Sequence, residues 1–131
     1  MTTQRPQLDS LDHLVLTVAD LQKSLDFYCG ILGCREVTFG GGRKAIRLGR
    51  QKINLHLKGR EVAPHARRPT EGSADLCFLS ATSIEDWIEH LYAKGVPIEV
   101  GPVPRTGAEK ALRSIYIRDP DGNLIEIANA E

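Results

Sequence analysis

The sequence has no excess of charge of either sign. Acidic and basic residues number 17 each among 131 residues. Nothing in that balance points to nucleic acid or to an anionic membrane as a partner. No apolar run approaches the ~20 residues needed to cross a bilayer. Met1 to Gln7 is polar and lacks the apolar stretch of a signal peptide. Cysteines are few. Cys29, Cys34 and Cys77 are an odd number with no metal-type CxxC spacing, and they read as reduced core thiols of a cytoplasmic protein. The triplet Gly40-Gly41-Gly42 lacks the GxxxxGK[ST] spacing of a phosphate loop, so it reads as a turn.

What is present is enough for one domain with one core. Hydrophobic residues make up 41% of the chain and charged residues 26%, ordinary values for a soluble globular protein. Residues 1–8 read as a loose tail. Leu11 to Val18 alternates as a strand, with Leu14, Leu16 and Val18 on one face and His13, Val15 and Thr17 on the other. Asp20 is placed to cap a helix. Leu21, Leu25, Tyr28 and Leu32 follow at helical spacing, and Gly33 stands where a helix end favours a left-handed residue. Arg35 to Phe39 reads as a strand, and Lys44–Leu48 with Lys52–Leu57 as a hairpin around Gly49-Arg50-Gln51. Residues 59–72, with Pro64 and Pro69, form a connector.

The order then restarts. Ala74 to Leu79 is a strand. Thr82-Ser83-Ile84-Glu85 has capping-box form, and Ile84, Trp87, Ile88 and Leu91 stripe a helix that stops at Gly95. Ile98 to Val100 reads as a strand and Gly101 to Ala111 as a loop. The chain closes on a hairpin, Ser114 to Arg118 and Leu124 to Ala128, around Asp119-Pro120-Asp121-Gly122-Asn123. There Pro120 pre-sets φ and Gly122 supplies the left-handed residue. With a side-chain period of two, Glu126 faces away from Ile125 and Ile127. A carboxylate in such a strand is either an exposed residue or a ligand and base in a cavity.

The two halves are an internal repeat, 9–58 and 73–130, within a single domain spanning 1–131. His13 to Gly33 and Asp75 to Gly95 have equal lengths, and Ile53 to Leu57 matches Asn123 to Ile127. Repeated units of this kind pack together because neither buries its sheet alone. The match brings His13, Asp75, His56 and Glu126 to equivalent places, each the polar exception in its strand. Imidazoles and carboxylates together suit a divalent transition metal. His65, in the connector, reads as solvated, and His90, between Glu89 and Leu91, as a surface residue.

These motifs carry a resemblance. The carriers are Leu11 to Val18 with Phe27-Tyr28-x-x-Ile31-Leu32-Gly33, then Gly101 to Ala108, then Ile115 to Glu126. The chain resembles the vicinal oxygen chelate superfamily, the glyoxalase/bleomycin-resistance/dioxygenase group. Within it, the likeness is to glyoxalase-domain-containing, virulence-protein-like members. The resemblance implies an α+β fold of two βαβββ modules whose curled mixed sheets form a cup around one divalent metal, Zn, Ni, Fe or Mn. It implies His13, His56, Asp75 and Glu126 as ligands, with Glu126 also the catalytic base. Glyoxalase I places a carboxylate where His56 stands and a His where Asp75 stands, so this chain departs from that pattern. The resemblance further implies a homodimer acting on a small-molecule substrate. Tyr116 is similar to a substrate-contacting Tyr of fosfomycin-resistance relatives. Arg105, Lys110 and Arg113 are spaced to clamp a carboxylate or phosphonate. The first expectation is a glyoxalase-like lyase or isomerase. Three alternatives stand beside it: an Fe(II) dioxygenase, a fosfomycin-type thiol transferase, and a metal-free ligand-binding protein of the bleomycin-resistance type.

Overall fold

The computed structural model describes residues 5–131. Of the expected tail, residues 1–4 lie outside the described residues; 5–8 are exposed and without regular structure. The first module runs β1 (His13–Val18), α1 (Leu21–Leu25) continuing into a π-helical segment (Asp26–Ile31), β2 (Arg35–Phe39), β3 (Arg43–Leu48) and β4 (Gln51–Leu57). The second runs β5 (Asp75–Leu79), α2 (Ile84–Ala93), β6 (Val100–Thr106), β7 (Ala111–Arg118) and β8 (Leu124–Ala130). Each module folds into a four-stranded mixed sheet, ordered β1-β4-β3-β2 in one and β5-β8-β7-β6 in the other. In both, the first and last strands run parallel and the rest antiparallel. These are the two curled βαβββ units expected from the repeat.

Local chemistry accounts for the elements. Asp20 caps α1, its Oδ1 accepting from the Lys23 N–H at 2.9 Å, and Gly33 takes φ 79° beyond the helix end. The α2 cap sits one residue later than the capping-box reading placed it. Ser83 Oγ, not Thr82, accepts from the Asp86 N–H. A larger difference lies at β6. The strand read as Ile98 to Val100 instead begins at Val100, and Gly101 to Thr106, read as a loop, continue it in pairing with β7, with a register shift between Val100 and Val103. Pro102 and Pro104 argued against a strand, yet β6 is the sheet's edge, where a missing N–H need not break a ladder.

One core serves both modules. It joins Leu16, Val18, Ile53 and Leu55 of the first sheet to Ile115, Ile117, Ile125 and Ile127 of the second, with Leu25, Tyr28, Ile84 and Leu91 from the helices. The alternation therefore turns the opposite face of each sheet away from this core. On those outer, concave faces Val15, Cys77 and Leu79 are exposed.

The β7–β8 turn fastens the modules together. Asp119 is buried, and its Oδ1 accepts from the Asp121 and Asn123 N–H groups. Its Oδ2 accepts from Asn123 Nδ2 at 2.8 Å and from the buried Tyr28 hydroxyl at 2.6 Å. Burial first, and then the bond to Asp119, push the Tyr28 pKa well above its usual value, so it stays a donor. Asn123 Oδ1 takes the Ala74 N–H, and Asp121 Oδ1 the Ala19 N–H. Gly72 packs under this turn with φ 78°, where a Cβ would fall 2.7 Å from the Asp121 carbonyl oxygen.

Candidate functional site

The second concave face carries Glu126. Register places it beside Cys77 on β5 and Tyr116 on β7. Ser114 Oγ donates to Glu126 Oε2 at 2.6 Å, fixing the carboxylate's orientation. Arg105 Nε donates to the Tyr116 hydroxyl at 2.8 Å, with the guanidinium 5.3 Å from the ring centre. Glu126, Cys77, Arg105 and Lys110 line a cleft of about 630 Å³, large enough for a small metabolite. Cys77 corrects the expectation of a core thiol, since it is exposed on this face. Partial burial, followed by the charge and hydrogen bond of Glu126, raises its pKa to about 11, so it stands as a neutral thiol. Cys29 and Cys34 are half-buried and free.

Arg113 does not join the expected cluster. It lies one residue out of phase with Leu112 and Ser114, on the core side, and is ion-paired with Glu85 at the start of α2. The Arg105–Lys110–Arg113 set thus divides, with two members lining the cleft and one supporting the helix.

The first concave face carries His13. Its Nδ1 sits 2.8 Å from Asp12 Oδ2, which leaves Nε2 outward. A carboxylate on the far ring nitrogen is the arrangement that orients metal-ligating histidines. His56 shares this face but not the place that the repeat assigned to it. Parallel pairing sets Asn54 opposite Val15 and Glu126 opposite Cys77. Asn54, two residues from His56, is therefore the counterpart of Glu126. His56 is buried deeper along the strand, with Arg43 Nη2 3.5 Å from its Nε2. Burial, then the Arg43 charge, lower its pKa. A neighbouring guanidinium also opposes a metal ion there. Asn54 is a residue the sequence reading missed. It is 6% exposed and its Oδ1 has no hydrogen-bond partner, a vacant acceptor on the concave floor.

Asp75 begins β5 in the place His13 holds in β1, as the repeat indicated. Among the described residues of one chain, however, no three His, Cys, Asp or Glu side chains gather closely enough to hold a metal. The donors are split between two outward faces. His65 is exposed, as expected, and His90 is half-buried on the side of α2. Its Nε2 lies 2.8 Å from the Ile31 carbonyl oxygen and ties α2 to the π-helical segment.

Comparison with known proteins bears on this arrangement. The family model of the Glyoxalase/Bleomycin resistance protein/Dioxygenase superfamily matches residues 10–127. The chain is 54% identical over 121 residues to "Virulence protein STM3117" of Salmonella typhimurium, covering 92% of this chain and 84% of that one. It is 53% identical over 120 residues to "Glyoxalase domain-containing protein RDO1" of Mycosarcoma maydis, covering 92% and 68%. Among solved structures, an integron cassette protein from the mobile metagenome of V. cholerae superposes with a TM-score of 0.94 at 49% identity, covering 98% and 100%. A lactoylglutathione lyase from Agrobacterium tumefaciens superposes with a TM-score of 0.72 at 25% identity, covering 94% and 95%.

Proposed function

The chain belongs to the Glyoxalase/Bleomycin resistance protein/Dioxygenase superfamily, and from that membership we propose that it is a divalent-metal-dependent enzyme of glyoxalase type. In this reading it isomerises or cleaves a small, oxygen-rich molecule at a carbon next to a carbonyl. The observation that carries the proposal is Glu126, a carboxylate oriented by Ser114 in the floor of a cleft.

The donors suit a divalent ion. His13 is backed by Asp12, Asn54 offers an unpartnered oxygen, and Asp75 and Glu126 are carboxylates. They meet only if the first concave face of one chain closes on the second concave face of another. The working unit proposed here is therefore a homodimer in which His13 of one protomer faces Asp75 and Glu126 of its partner. His56 is the weakest member of the expected set, because Arg43 stands against it.

When bound, the metal supplies Lewis-acid polarisation of the substrate's oxygens. Glu126 takes the proton from the adjacent carbon and returns it at the neighbouring position, with Ser114 holding the carboxylate in line. Tyr116, oriented by Arg105, donates to a substrate oxygen, and Lys110 at the cleft rim steers an anionic group. The first sheet of the other protomer, closing over Glu126, excludes water from the exchange.

Elemental analysis of protein purified without a histidine tag tests this reading. Metal present in wild type and lost in both His13→Ala and Glu126→Ala supports it. Zn or Ni then favours glyoxalase-type work, Fe oxygenation, and Mn thiol transfer. One observation favours a second reading, a metal-free binding cup. Asn54 stands where Glu126 has its counterpart, and it removes one charged donor. Absence of metal after reconstitution with each of these ions would select that reading.

A further inference from the structure

The first sheet lines up cations that lie far apart in sequence. Register runs Arg35 opposite Arg47, Arg47 opposite Lys52, and Lys52 opposite His13. Arg35, Arg47 and Lys52 are thus three cations in one row on the concave face, which ends at His13 beside Asp12. Like charges directly opposite each other on a sheet are destabilising, so such a row needs compensation. None of Arg35, Arg43, Arg47 and Lys52 has a carboxylate partner among the described residues. Four other cations, Lys44, Lys58, Arg113 and Arg118, are ion-paired among the described residues. Lys44, on the same strand as Arg43 and Arg47 but facing the other way, pairs with Glu36 at 2.8 Å.

The row also has a floor. The Lys52 Nζ lies 3.9 Å from the Phe39 ring centre and the Arg43 guanidinium carbon 4.7 Å from it. The aromatic face therefore holds two cations side by side over the sheet.

We propose that the first concave face is a binding site for a small polyanion, a molecule bearing two or more carboxylate, phosphonate or phosphate groups. Guanidinium forks match such groups in bidentate fashion, and Lys52 adds a point charge at the centre. A ligand of this kind neutralises Arg35, Arg47 and Lys52, which no ion pair among the described residues does. Joined to the proposed function, on which this one step rests, the anion is the arm of the substrate remote from the carbon that Glu126 deprotonates.

The test is calorimetric titration of the metal-free full chain at fixed ionic strength, with tricarballylate and methylenediphosphonate as separate probes. Saturable binding of either is expected, and whichever probe binds tighter identifies the anionic group. Arg47→Gln with Lys52→Gln should weaken it at least about tenfold, while Lys44→Gln, on the opposite face, should leave it unchanged. Thermal melts of each variant control for folding. Should the double variant not fold, Phe39→Leu, which removes only the aromatic floor, should weaken binding in its place. No saturable binding, equal loss in Lys44→Gln, or no loss in the double variant would overturn the site. Anion binding by a chain that never takes metal leaves this inference standing and removes the enzyme reading. Metal uptake without anion binding does the reverse.

Discussion

The two modules share a frame and differ in what they display. Their inner faces are interchangeable: Leu16, Val18, Ile53 and Leu55 on one side, Ile115, Ile117, Ile125 and Ile127 on the other, all in one core. Their outer faces are opposite in character at matched positions. Where the first sheet has His13, Lys52 and Asn54, the second has Asp75, Leu124 and Glu126. The turns differ as well. Gly49 and Arg50, between β3 and β4, are exposed, whereas Asp119 and Asn123, between β7 and β8, are buried and hold both modules. A duplicated frame leaves packing under common constraint, because both copies bury the same face. The concave faces are free to diverge in the residues they display.

The turns offer the largest effect with which to break this comparison. Asp119→Ala should remove the acceptor for Tyr28, the Asn123 side chain and two backbone N–H groups. It should cost about 3–5 kcal/mol, read from urea unfolding. Arg50→Ala, in the exposed turn of the first module, should stay within about 0.5 kcal/mol of wild type. Equal effects would mean that the second turn is no clasp. Gly72→Ala comes next, at about 1–3 kcal/mol, because it needs φ 78° and meets the Asp121 carbonyl.

The outer faces give smaller, sharper tests. Glu126→Gln should lower the Cys77 pKa from its raised value of about 11. Iodoacetamide should then label Cys77 faster at pH 8, followed by mass spectrometry of the peptide. An unchanged rate would separate the two side chains. His56 gives the smallest effect. Its pKa is lower folded than unfolded, so the unfolded chain binds the proton more readily. Its contribution to stability is complete above pH of about 6.5 and declines as pH falls below that. His56→Gln should therefore flatten stability between about pH 7 and 5 relative to wild type. A steeper profile would contradict the assigned burial and Arg43 neighbour.

The inner half of this comparison was legible in the sequence. Alternation placed β1, β3, β4, β7 and β8, helical spacing placed α1 and α2, and Asp20, Gly33 and Gly95 marked their ends. Both faces of Glu126's strand followed from a period of two. The outer half was less legible because it depends on register. Matching sequence segments aligned His56 with Glu126; parallel pairing moves the match to Asn54. Arg35, Arg47 and Lys52 become neighbours only when three strands pair. Arg113 looked like a companion of Arg105 until its phase on β7 turned it toward Glu85. β6 was hidden by its prolines, which an edge strand tolerates.

The account rests on complementary faces meeting from different chains. His13→Ala and Glu126→Ala chains, differently tagged, co-expressed and freed of their tags after selection of the mixed dimer, test it most directly by metal content. In a two-fold dimer with shared sites, the mixed pair has one doubly damaged site and one intact site. The account predicts no metal in either parent variant and metal restored in the mixed dimer. A mixed dimer as empty as its parents, beside a wild type that holds metal, would place the donors within single chains and contradict it.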